Sequence, residues 1–171
     1  MDQENDHQRA LRLWITAGLS IPEVVDLKGD AGYLFNNMIA KYTLAANKYA
    51  LSEAALKRLK KDGVNIENTY IRRKFYGKKS RYIYEHAIPA KTIRTRLLES
   101  DKTESAVVEI LSKAGKVTIL LREENEKLKK LKLRAAMPPS WKLGADPEAR
   151  YKEAGIKISK ELLKVTGAIV R

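Results

Sequence analysis

The sequence predicts a mainly helical α+β fold, and three observations carry that prediction. Apolar residues recur at helical spacing through most of the first sixty positions. Two aromatic and β-branched runs flank a glycine-containing turn between Thr69 and Tyr84, and a compact apolar run, Val117 to Leu121, stands between helical segments. At 171 residues the chain is long enough to bury a proper core.

Ala10, Leu11, Leu13, Trp14 and Ala17 mark a first amphipathic helix from Asp6 to Ala17, with Gly18 as its stop. Ser20, Pro22 and Glu23 form a capping box that starts a short helix ending near Leu27. The breaker-free stretch Tyr33 to Ala50 reads as one helix, and Ser52 restarts the pattern, which runs from Ala54 to Lys61 and closes at Asp62-Gly63. The first sixty residues are thus expected to be all helical. Thr69 to Tyr76 and Arg81 to Tyr84 read as a hairpin around Gly77-Lys78-Lys79-Ser80, with Pro89 stopping its second strand. Ala90 to Glu99 and Thr103 to Ala114 read as helices, 117 to 121 as a strand, and a helix starts near Glu123 with its acids first and its lysines after, as the helix dipole favours. A helix from Asp146-Pro147 to Ala154 and a last one carrying Ile158, Leu162 and Val165 complete the chain. Composition divides it into a helical region 1–63, a central region 64–138 and an extension 139–171, expected to pack as one unit.

Charge is unevenly spread. The formal net charge is +13, and residues 57 to 96 hold thirteen Lys/Arg against three Asp/Glu, a net of +10. The first thirty residues run the other way, with six acids and three bases. A concentrated basic block points to a polyanion, and its interleaved aromatics and turns do not make a basic amphipathic helix of the membrane-surface kind. Arg72, Arg73, Lys74, Lys78, Lys79, Arg81, Lys91, Arg94 and Lys129 are the candidate phosphate contacts. The chain has no cysteine, so disulfides, thiolate metal sites and cysteine nucleophiles are excluded. With only His7 and His86, any metal site must rest mainly on oxygen ligands. The acidic amino terminus lacks signal-peptide character and no apolar run reaches membrane-spanning length, so a cytoplasmic protein is expected.

His86 follows Glu85 at the end of a strand-like run. Imidazole accepts a proton near neutrality, and a neighbouring carboxylate is a potential metal ligand, so the pair is a candidate for activating water. The order of strand, connection, strand 117–121 and helix from Glu123 builds a small ββα centre elaborated by helices, in which Glu124 and Asn125 offer oxygen to a hard cation. The run Glu85-His86-Ala87-Ile88-Pro89, followed by Glu123-Glu124-Asn125 and Leu128, resembles the HNH (ββα-metal) nucleases over roughly residues 80 to 132. The resemblance implies a restriction-type or phage endonuclease in which His86 is the general base, and Glu85, Glu124 and Asn125 hold one Mg²⁺ or Mn²⁺. In that scheme Asn125 joins Glu85 and His86 as a catalytic residue. The chain departs from the pattern at Lys129 and Lys116, where the family commonly has a second histidine or asparagine and its middle asparagine. The other reading of the same residues is structural: Glu85 pairs with an arginine of the neighbouring strand, and Glu123, Glu124 and Asn125 cap a helix.

The expected function is therefore metal-dependent hydrolysis of double-stranded DNA, with a homodimer as the usual way to reach both strands. The first alternative is a non-catalytic nucleic-acid-binding protein that uses residues 57 to 96. An RNA-directed nuclease or toxin is a further one.

Overall fold

The computed structural model describes residues 4–25, 29–69 and 79–165. Among them run eight helices and a four-stranded mixed sheet, a mainly helical α+β fold. The first strand of the expected hairpin, Thr69 to Tyr76, lies outside the described residues except for Thr69, which makes an isolated parallel bridge to Val165. No helix among the described residues is long and apolar enough to cross a membrane.

The chain begins with α1 (Asp6–Gly18), capped as the sequence of its first turn allows: Gln8 N–H donates to Asn5 Oδ1 at 2.9 Å and Asn5 N–H to Gln8 Oε1 at 3.3 Å. A single-turn α2 (Pro22–Val25) leads to α3 (Gly29–Leu44). The expected continuation of this helix to Ala50 is not formed. Asn47 adopts φ 57°, the chain reverses, and Lys48–Ser52 becomes β1. Lys, Ala and Leu are helix formers, yet β1 lies between two other strands and buries Tyr49 and Leu51 completely. Tertiary pairing overrides local propensity there. Ser52 then caps α4 (Glu53–Lys61), taking the Ala55 N–H at 3.0 Å.

The second half follows its sequence signals more closely. It contains β2 (Tyr82–His86), α5 (Ala90–Glu99), α6 (Glu104–Ser112), β3 (Val117–Leu121) and α7 (Arg122–Lys130). Gly115 separates α6 from β3 at φ 75°, and a Cβ there would lie 3.1 Å from Ala87 and from Pro147, so the position needs glycine twice over. A short α8 (Ala149–Glu153) precedes β4 (Ile158–Lys164), where the sequence suggests a helix instead. Ile158, Leu162 and Val165 do have helical spacing. The strand wins because it pairs antiparallel with β1 along Tyr49↔Leu163 and Ala50↔Leu162, with an irregularity between Ala50 and Ser52.

The sheet order is β2-β3-β1-β4, with β1 and β3 parallel and both edges antiparallel. It takes β1 from the first region of the sequence, β2 and β3 from the middle, and β4 from the last. On one face α4 covers a core of Tyr49, Leu51, Leu59, Ile119 and Leu163. On the other, α7 and α8 cover Leu120, Leu128, Leu133, Tyr151 and Ile156. A third core, built from Ile15, Phe35, Ile39, Ile93, Leu97 and Leu111, joins α1, α3, α5 and α6. Those helices all attach where β1 and β3 begin and β2 ends. The sheet thus has a helical end, where His86 sits, and an opposite end where β2 begins and β3 stops.

Candidate nucleic-acid interface

Glu85 and His86 are neighbours in sequence and lie on opposite faces of the sheet, because successive strand residues alternate. The register Glu85↔Thr118 and His86↔Val117 fixes this alternation, and the partners of the two side chains confirm it. Glu85 Oε2 accepts from Arg150 Nη2 at 2.9 Å on the α8 side. His86 Nδ1 lies 2.8 Å from the Thr43 hydroxyl of α3. The Thr43 hydroxyl is also within reach of the Ala40 carbonyl, at 3.0 Å. Burial, and then the Arg150 charge, push the His86 pKa down to about 4, so the ring is neutral at pH 7. Burial raises the pKa of Glu85 while Arg150 opposes the rise.

Arg150 is the residue around which this corner is assembled. Fully buried, it donates to the carbonyls of Ala87 (3.0 Å), Leu133 (2.8 Å) and Arg134 (2.9 Å), to that of His86 as well, and to Glu85, and its guanidinium lies 5.0 Å from the centre of the Tyr151 ring. A guanidinium has five donors, and this one is matched to acceptors on β2, on the segment after α7 and on its own helix. Nothing local in the sequence marks it. The arginine that pairs with Glu85 comes from α8, not from a neighbouring strand.

Of the remaining members of the expected metal site, Glu124 is engaged elsewhere. Buried Glu124 accepts the Ser52 hydroxyl at 2.6 Å and the Leu121 N–H at 2.8 Å, so its carboxylate caps α7 and ties it to the start of α4. Asn125 is buried beside it, and its Oδ1 finds no donor among the described residues. No group of three or more His, Cys, Asp or Glu side chains among the described residues could hold a metal ion. One carboxylate held by a buried arginine, one spent on two hydrogen bonds and a histidine on the opposite face do not fit a divalent cation.

The basic residues are brought together more effectively, at the far end of β2. Five strand residues separate the two ends, about 17 Å at 3.4 Å per residue. Arg58, Lys79, Ser80, Arg81, Leu121, Arg122 and Glu123 line an open cleft of about 460 Å³. The antiparallel register puts Tyr82 opposite Leu121, so Arg81 and Arg122 are adjacent across the strand ends, where Arg122 N–H donates to the Arg81 carbonyl at 2.8 Å. Arg122 Nε donates to the Ser80 carbonyl at 3.0 Å, and the Ser80 hydroxyl lies 3.1 Å from the Tyr82 N–H that donates to it. Across the cleft Arg58 pairs with Asp62 at 3.0 Å, and Asp62 also accepts the Tyr82 hydroxyl at 2.8 Å. Arg58, Lys79, Arg81 and Arg122 thus line the cleft with the carboxylate of Glu123, and Asp62 stands beside it, paired with Arg58. Lys79, Arg81 and Arg122 are exposed.

Of the expected phosphate contacts, Lys79 and Arg81 stand in this cleft, while Arg72, Arg73, Lys74 and Lys78 lie outside the described residues. Lys91 and Arg94 belong to α5 at the helical end, where Arg94 donates to Asn36 Oδ1 at 3.2 Å. Lys129 is on the outer face of α7, 3.7 Å from Glu126. Arg58 and Arg122 complete the cleft without having been singled out in the sequence. For Arg122 the signal exists: it follows the last residue of a strand whose antiparallel partner begins just after Arg81. Compared with protein-family models, curated proteins and solved structures, the chain shows no match.

Proposed function

We propose that the protein binds nucleic acid, duplex DNA first, through phosphate contacts at the end of the sheet where β2 begins. The observation that carries this reading is the convergence of Lys79, Arg81 and Arg122 on one open cleft, where basic side chains outnumber Glu123 and the Asp62 that pairs with Arg58. A duplex presents a phosphate about every 1.7 Å of its axis, and cations set side by side on a rigid strand end match such a target better than scattered lysines. In sequence, the basic run Arg72-Arg73-Lys74 ends five residues before Lys79.

Hydrolysis with His86 activating water beside an ion held by Glu85, Glu124 and Asn125 requires His86 and Glu85 at one point, and their opposed directions do not supply it. Binding without cleavage is the reading that the geometry supports. The test is to incubate supercoiled plasmid and, in parallel, single-stranded RNA with the protein and Mg²⁺ or Mn²⁺, with and without chelator. Retarded but intact plasmid supports the proposal. Chelator-sensitive cleavage that disappears in His86→Ala overturns it in favour of a nuclease, and retention of RNA alone overturns the choice of duplex DNA.

A further inference from the structure

Among the described residues, seven large apolar side chains are exposed, and five of them are Leu13, Trp14, Ile21, Tyr33 and Leu34. They share one part of the fold. α1 and α3 run antiparallel: Gln8 near the start of α1 reaches the Tyr42 carbonyl near the end of α3, and Gly18 at the end of α1 lies against the Phe35 ring. The second half of α1, the turn holding Ile21 and the first half of α3 therefore form one surface. Trp14 and Tyr33 are 65% and 67% exposed, more than isolated surface aromatics require.

The α1 contribution is a second apolar stripe. Leu11, Ile15 and Leu19 face the helical core, as one amphipathic face should. Ala10, Leu13, Trp14 and Ala17 are all exposed at spacing i, i+3, i+4, i+7, which is the pattern of a helix packed on a second side as well. Nothing among the described residues covers it.

We infer that this surface is a homodimer interface, in which α1 and the start of α3 pack on the same elements of a second copy about a two-fold axis. Three considerations select a second copy over other occupants. An apolar stripe along one helix is self-complementary, as an isologous contact demands. Two aromatic and three aliphatic side chains exposed to this degree offer on the order of 500–600 Å² per copy, given about 150–250 Å² for a whole aromatic side chain. The total of about 1,100 Å² clears the roughly 1,000 Å² expected of a specific interface. Charge favours this orientation: the described residues from 4 to 34 hold four acids, Glu4, Asp6, Glu23 and Asp30, against Arg9 and Arg12, a net of −2 in a chain of total +13. Two copies approaching by their basic ends repel each other, whereas this end meets its like at low cost and turns nucleic acid away. The inference stands independently of the proposed DNA binding.

Sedimentation velocity or light scattering on the full chain, over a series of concentrations, tests it. The expected result is a dimer mass that halves in Trp14→Asp/Leu34→Asp, with far-UV circular dichroism and melting temperature unchanged. Ala17→Glu, which sets a charge in the stripe without removing a packed side chain, is expected to give the same halving if the double variant misfolds. A wild-type monomer at every concentration overturns the inference. Iodide quenching of Trp14 then tells whether the face is bare or is covered by the chain's own residues, and either finding contradicts a second copy. A dimer that survives these substitutions but is lost in Lys79→Glu/Arg81→Glu overturns it too.

Discussion

His86 titrates near pH 4 in the folded chain and near 6.5 when unfolded, so between those values the unfolded state binds more protons and stability falls as the pH is lowered. The full effect is at most about 3.5 kcal/mol, because each tenfold difference in proton affinity between the two states is worth about 1.4 kcal/mol. Glu85 works in the opposite sense. Its pKa is raised by burial, so lowering the pH through the carboxylate range returns some stability to the folded state. Urea unfolding between pH 7 and 4.5 is expected to show a loss of stability on acidification in the wild type and a nearly flat profile in His86→Gln. Arg150→Met is expected to cost about 3–5 kcal/mol, because it leaves Glu85 a buried, unpaired carboxylate and strips several carbonyls of their donor; thermal melting checks this. The adjacency of Glu85 and His86 invites a shared site, and strand alternation denies it. That much is implicit in a strand ending at His86. Arg150 is not legible at all, since its partners come from β2, from the segment after α7 and from α8, and no spacing in the sequence relates them.

Ser52 and Glu124 show how one element is fastened to another. The Ser52 hydroxyl accepts the Ala55 N–H to start α4 and donates to Glu124, which in turn starts α7. Ser52→Ala removes both functions, and a loss of about 1–2 kcal/mol in urea unfolding is expected, typical of a buried cap. Glu124→Gln keeps an acceptor for the Leu121 N–H, and a smaller loss is expected by the same measurement. Both caps were legible, because a capping residue signals through its own neighbours. So were α5, α6, β3 and the start of α7, each with a local start or stop. β1 and β4 were not. Lys48-Tyr49-Ala50-Leu51 has helical propensity and the apolar residues of β4 have helical spacing; each becomes a strand because the other, or β3, lies beside it. Pairing between segments over a hundred residues apart leaves no local trace.

At the scale of the whole molecule, charge and apolar surface are segregated. The surface of α1 and the start of α3 carries exposed apolar side chains, and the opposite end of the sheet gathers Arg58, Lys79, Arg81 and Arg122. The composition of residues 57 to 96 announced a polyanion partner, but that segment spans both ends of β2 and could not say which end meets it. The register of β2 on β3 does, by setting Arg122 beside Arg81. The most direct measurement is the salt dependence of duplex DNA binding, followed by fluorescence anisotropy, for the wild type, for Lys79→Ala/Arg81→Ala/Arg122→Ala and for Lys91→Ala at the helical end. Each phosphate contact contributes about 0.9 to the slope of log K against log salt concentration. The account predicts a slope shallower by about 2–3 and an affinity at least about tenfold weaker at low salt in the triple variant, with Lys91→Ala like the wild type. A triple variant that binds with wild-type slope and affinity, or a wild type that binds no DNA at low salt, contradicts it.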